Sequence, residues 1–262
     1  MKILAINGSY RKKGNTARII EMISDQMQSQ AAATGASLDL EIIHLGHLDI
    51  QLCRGCRVCF KQGETMCPLK DDLLTIREKM QAADGLIIST PVYVNDVSGI
   101  VKTWLDRLAF LSHRPEFAGK HAYLIVTVGQ GPSSHALKTM NMALSTWGVS
   151  IVGQASFKMG APMKKEQARA QFQAKTQKIV AQFYRVLAKE KTISPSFISL
   201  MTFRIQQGAW WRKPQPGTVD YEYWQSQGWM NPLSDYYAPH KTGKAKVTLA
   251  RLAGAILTPF VT

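Results

Sequence analysis

Lys2-Ile3-Leu4-Ala5-Ile6-Asn7-Gly8-Ser9-Tyr10-Arg11-Lys12-Lys13-Gly14-Asn15-Thr16 decides how the rest of the chain is read. An apolar run leads into a loop of Gly, Ser, Asn and Thr, and a helix-like segment follows with Ile19, Ile20, Ile23 and Met27 at helical spacing. Strand, small polar loop and helix start form the geometry that captures a phosphate, because N–H groups at a helix N-terminus lack internal partners and carry positive partial charge. Gly8 and Gly14 admit close backbone approach; Ser9, Asn15 and Thr16 offer side-chain hydrogen bonds, and Arg11 a charged fork. The same residues also suit an ordinary strand–helix turn capped by Asn15 or Thr16. The loop lacks the Gly-Lys-Ser/Thr ending of a Walker sequence and is not Gly-x-Gly-x-x-Gly.

Outward from this loop, strands alternate with helices. Strands are expected at residues 2–7, 37–44, 85–90, 120–128 and 149–157, and helices at 16–30, 71–82, 98–111, 133–147 and 166–189. Five such alternations imply a doubly wound parallel sheet with right-handed crossovers. Ligands in such sheets sit at the carboxyl ends of the strands, near the point where strand order reverses. Three loops leave that end: the one at Gly8, the stretch Thr90-Pro91-Val92-Tyr93-Val94-Asn95, and Gly129-Gln130-Gly131. Pro91 stiffens its loop, Tyr93 offers a flat surface, and Asn95 a hydrogen-bonding amide.

All four cysteines fall in one segment, Cys53-x2-Cys56-x2-Cys59-x7-Cys67-Pro68. Such clustering argues for metal or redox chemistry over disulfides in a cytosolic protein. Successive three-residue steps, a nearby fourth Cys and a following Pro are the spacing that wraps a cubane iron–sulfur cluster. Zinc and free structural thiols are the alternatives.

Gly8-Ser9-x-Arg11 followed by Gly14-Asn15-Thr16 resembles the FMN-phosphate loop of the NAD(P)H-dependent FMN reductase branch of the flavodoxin-like superfamily. Thr90-Pro91-Val92-Tyr93 resembles the stretch that this branch lays along the isoalloxazine ring, and Gly129-Gln130-Gly131 its facing loop. The cysteine segment, with Gly55, Gly63 and Asp71-Asp72, is similar to the compact motif of the iron–sulfur flavoproteins. The resemblance covers about residues 1–190 and implies a flavodoxin-like, three-layer, five-stranded α/β fold. It implies FMN held by Ser9, Arg11, Gly14, Asn15, Thr16, residues 91–95, Gly129 and Gly131, and a [4Fe–4S] cluster on Cys53, Cys56, Cys59 and Cys67. It also implies an FMN-dependent oxidoreductase with NAD(P)H as transient reductant and a small-molecule acceptor. The alternative is an electron carrier that works with a ferredoxin-like partner and does not turn over NAD(P)H. No catalytic side chain is expected, since the flavin carries the chemistry.

Residues 191–262 form a C-terminal extension with four of the six tryptophans and eight Lys/Arg against three Asp/Glu. Short helices are expected at 197–203 and 247–256. The aromatic density fits a dimer arm or a lid over the flavin; a dimer arm, giving a homo-oligomer, ranks first, packing on its own chain second and an interfacial membrane contact at Trp210-Trp211-Arg212-Lys213 third. The net charge of +14 is spread along the chain without a basic block or a reader motif, so nucleic-acid binding is not expected. No run approaches the ~20 apolar residues of a membrane span, and no basic leader precedes a long apolar run, so the expected compartment is the cytoplasm.

Overall fold

A computed structural model describes residues 1–160, 164–189 and 192–261. Its strands are β1 (Lys2–Asn7), β2 (Asp39–His44), β3 (Gly85–Pro91), β4 (His121–Val128) and β5 (Ser150–Lys158). They pair in parallel in the order β2-β1-β3-β4-β5. β3 and β4 lie at the centre and are buried along their whole length, which explains the apolar runs at 86–88 and 122–126 within them.

Alternation along each strand feeds two cores. Leu4, Ile6, Leu86 and Ile88 face one layer, made by α3 (Leu73–Ala82), α4 (Gly99–Arg107) and α5 (Ser134–Thr146). Ile3, Ala5 and Ile87 face the other, made by α1 (Asn15–Ala33) and α6 (Lys165–Lys189). The result is the flavodoxin-like three-layer arrangement, whose strand order reverses between β1 and β3.

Between β2 and α3 the chain is irregular apart from α2 (Val58–Lys61) and two single 3-10 turns. The expected start of α3 at Asp71 is displaced to Leu73, because Asp71 is drawn into a buried ion pair with Arg107. The boundary expected at residues 190 and 191 lies outside the described residues.

The extension carries α7 (Phe197–Arg212), α8 (Val219–Ser226) and α9 (Lys244–Val261). Both expected helices are longer than read, and α8 was not anticipated. Glycines sit where α7 meets α9: a Cβ on Gly208 would stand 2.8 Å from Thr258, and one on Gly254 2.8 Å from the Met201 carbonyl. Each glycine therefore lets α7 and α9 lie close together without ending its helix. Phe203, Trp224, Trp229, Tyr236 and Tyr237 form a third core, with Phe203 and Trp224 stacked at 5.7 Å. Trp211 donates to the Met230 carbonyl (3.0 Å) and stacks under Arg204. The outward face of α9 keeps Leu249, Leu252, Ile256 and Phe260 exposed. Among the described residues no helix is long and apolar enough to cross a membrane.

Candidate flavin site and cysteine pocket

Local backbone geometry builds the first loop. The Ser9 N–H donates to Asn7 Oδ1 (3.2 Å), the Arg11 N–H to Ser9 Oγ (3.1 Å), and the Gly14 N–H to the Arg11 carbonyl (3.0 Å). Helix α1 then begins after an extended Gly14 with no side chain capping it, so its positive end is open to a ligand. The buried Thr16 hydroxyl pairs with the Thr127 hydroxyl (2.7 Å), tying the helix start to the end of β4.

The second loop is clamped from both sides. The Val92 N–H donates to the Thr127 carbonyl (2.8 Å), and Tyr93 and Asp96 exchange backbone hydrogen bonds of 3.0 and 3.1 Å. Val94 and Asn95 between them have φ of 48° and 63°, the signature of a type I′ turn. Ser98 Oγ donates to the Gly8 carbonyl (2.6 Å), and the Ser98 N–H donates to Thr90 Oγ1 (3.0 Å), so the first two loops hold each other.

A cavity of about 480 Å³ opens where these loops meet. Ser9, Arg11, Gly14, Asn15 and Thr16 line one wall, and Pro91, Val92, Tyr93 and Gly129 the rest. Val94, Asn95 and Gly131 do not line it: the first two form the exposed tip of the turn, and Gly131 lies farther along its loop with φ of 89°. Lys13, Arg18, Thr127 and Gly160 join the wall without having been anticipated. Lys13 and Arg18 flank the read motif and add cations, whereas Thr127 and Gly160 arrive through the fold alone. The cavity suits FMN: uncapped helix donors and the three lining cations Arg11, Lys13 and Arg18 are what a phosphate would need, and Tyr93, Pro91 and Val92 offer a surface for a flat ring.

A second cavity, about 460 Å³, is lined by Cys53, Cys56, Cys59 and Cys67 together. The loop reaches this shape through left-handed Gly55 (φ 64°), Arg57 (φ 60°) and Gly63 (φ 96°). All four thiols are free. Among the described residues no group of three or more His, Cys, Asp or Glu side chains converges to hold a metal ion. Thiols spread around one cavity are nonetheless the donor set that a cubane cluster requires. Burial, then the neighbouring Cys67 and Cys53, push the Cys59 thiol up.

Arg107 and Asp71 close the floor of this pocket. Arg107 donates to both Asp71 oxygens, to the Gln51 carbonyl (2.8 Å) and towards Cys67 Sγ at 4.0 Å. Burial would raise the Asp71 carboxyl, but hydrogen bonds from Arg107, Gln51 and Leu73 outweigh it and hold the group below its ordinary value of 3.8. A depressed carboxylate lends stability that is complete above its unfolded value and lost as pH falls through the folded one. As pH falls below the ordinary Asp71 value of 3.8, the wild-type protein should therefore lose stability more steeply than Asp71→Asn, as acid unfolding followed by circular dichroism would report. Equal slopes would remove Asp71 from the acid response.

Residues 1–162 match the family described as NADPH-dependent FMN reductase. The chain belongs to this family. Among the curated relatives, an iron–sulfur flavoprotein from Archaeoglobus fulgidus is 30% identical over 156 residues, covering 59% of this chain and 67% of the relative. A second from the same organism is 43% identical over 107 residues, covering 41% of this chain and 48% of the relative, so the chain spans only about half of that protein's length. An NADPH azoreductase from Bacillus sp. (strain OY1-2) is 30% identical over 146 residues, covering 55% and 69%. Two solved structures share the fold. An NADH:FMN oxidoreductase, EMOB, has a TM-score of 0.53 at 22% identity and covers 72% of this chain and 91% of that one. RosB, solved with 8-demethyl-8-formylriboflavin-5′-phosphate, has a TM-score of 0.55 at 16% identity and covers 93% and 92%.

Proposed function

We propose that this family member is an FMN-dependent NAD(P)H oxidoreductase whose cysteine loop carries a [4Fe–4S] cluster for one-electron transfer. The observation that carries the reading is that all four cysteines of the chain line one cavity in a family of flavin reductases. Bound FMN supplies two-electron and one-electron redox chemistry, and the cluster passes single electrons.

The chain's own residues bind and orient. Ser9, Arg11, Gly14, Asn15 and Thr16 hold the phosphate with helix donors and a guanidinium, and Arg18 and Lys13 add charge. Pro91, Val92 and Tyr93 set one wall for the ring, and Gly129 leaves room on the other side. Arg11, Lys12 and Lys13 are exposed and suit the phosphates of NAD(P)H or an acidic ferredoxin-like partner. The exposed apolar face of α9 supports the extension as a dimer arm.

Protein purified without oxygen should show structured flavin bands above a broad sulfur-to-iron absorption, with about four iron atoms per chain. It should also oxidise NAD(P)H when an acceptor is added. Flavin bands without iron would leave a plain reductase. Both cofactors without turnover of NADH or NADPH would leave the electron carrier. Colourless protein that takes up no FMN would overturn the assignment.

A further inference from the structure

Arg114 is only 2% exposed, yet it joins two distant parts of the chain. Its Nη2 donates to the Cys59 carbonyl (3.1 Å) and to Glu64 Oε2 (2.8 Å), both in the cysteine loop. Its Nη1 donates to Asp220 Oδ1, on α8 of the extension. Asp220, 4% exposed, hydrogen-bonds His113 Nδ1 through its other oxygen (2.7 Å). The His113 ring meets Phe60, the residue after Cys59, edge-on at 4.7 Å. One turn beyond Asp220, the Trp224 indole donates to the His113 carbonyl (2.7 Å). Glu64 is held from its far side by Arg77 (3.1 Å), which also takes Glu116 (2.6 Å).

Withdrawing these charges from water is costly unless each finds a partner, and a buried guanidinium that lost Asp220 would be left undercompensated. The extension already has an aromatic core to hold itself together, so a carboxylate sent to the arginine that grips the cysteine loop needs its own explanation. We propose that Arg114 and Asp220 are positioning residues for the cysteine pocket. The extension, through Asp220, pins Arg114 against the Cys59 carbonyl and Glu64, and so fixes the loop shape in which the four thiols line one cavity. The inference rests on the cluster reading above for its metal readouts alone.

The test compares wild type with Asp220→Asn, Arg114→Met and Arg114→Lys, all purified without oxygen. FMN occupancy reports on the intact fold. Iron and sulfide per chain, and the electron paramagnetic resonance spectrum after reduction, report on the cluster. Alkylation of Cys59 in metal-free protein, followed by mass spectrometry, reports on the loop itself. Asp220→Asn and Arg114→Met should keep FMN, lose iron several-fold faster to a chelator, and expose Cys59 to alkylation on the order of ten-fold faster. Arg114→Lys should rescue only in part, since an ammonium cannot serve three acceptors with the geometry of the planar fork. Should Arg114→Met fail to fold, Asp220→Asn, which keeps shape and one acceptor, carries the test.

Unchanged iron retention, spectrum and alkylation in folded Asp220→Asn would overturn the proposal. FMN lost together with iron would also overturn it, by making Asp220 a general folding residue. Iron absent from wild type would sink the cluster reading only; faster Cys59 alkylation would then still support the positioning role, and an unchanged rate would end it.

Discussion

Gly8→Ala should weaken FMN binding by one to two orders of magnitude, in a protein that still folds. Gly8 sits where β1 ends against β3, its N–H donating to the Ser89 carbonyl (2.8 Å) and its carbonyl accepting from Ser98 Oγ (2.6 Å). A Cβ there would overlap Val101 and stand 2.7 Å from the Ser89 oxygen. Backbone cannot give way as a flexible side chain would, so the end of β1 must move away from β3. Overpacking of this kind costs about 1–3 kcal/mol. Ser9 and Arg11 are tied to the same segment and would move with it, and a misplaced charge-assisted hydrogen bond loses about 1.5–3 kcal/mol. Titrating apoprotein with FMN by fluorescence quenching would measure the loss. Gly99→Ala is the control, because a Cβ at Gly99 meets nothing within 4 Å. Equal affinities for Gly8→Ala and wild type would mean that the phosphate loop is not built on Gly8.

Arg107→Leu should be the more destabilising change. The Asp71 side chain is 1% exposed, and Arg107 is its ion-pair partner. Removing one member of a buried pair costs about 3–5 kcal/mol, which for a chain of this size lowers the melting temperature by roughly 10 °C. Adding Asp71→Leu should recover part of the loss, since an apolar pair avoids the stranded charge, although the Gln51 and Leu73 N–H groups would lose their acceptor. Urea unfolding of both proteins decides the matter. A single variant within about 1 kcal/mol of wild type would show that the pair contributes little.

The sheet was legible because parallel strands buried on both faces read as unbroken apolar runs such as Leu86-Ile87-Ile88, and because each is followed by a helical period. The turn from β1 into the uncapped start of α1 was legible because its form depends on residue types at adjacent positions. Arg107 and Arg114 were not. Arg107 falls inside the helix expected at 98–111, and its partner Asp71 lies 36 residues away; Arg114 finds Asp220 at a separation of 106 residues. Local sequence carries no trace of such pairings. The extension misled for the opposite reason. Gly208 looks like a helix breaker, and only the neighbouring helix shows it to be the point of closest approach. Val94 and Asn95 read as ring contacts because they continue a motif, whereas the chain reverses there and carries both away from the cavity.

That reversal sets the state in which the site waits. Val94 is a β-branched residue held left-handed at the tip of a turn, with its side chain 99% exposed and little packing to offset the conformation. Left-handed backbone costs an L-residue about 1–2 kcal/mol, so the turn keeps its form only because Pro91 and the paired backbone hydrogen bonds of Tyr93 and Asp96 impose it. The rocking freedom that an idle loop would surrender to an arriving ring has thus already been given up during folding. An FMN ring bound in the proposed way would meet Tyr93 as a standing wall, and association would have correspondingly less disorder to remove.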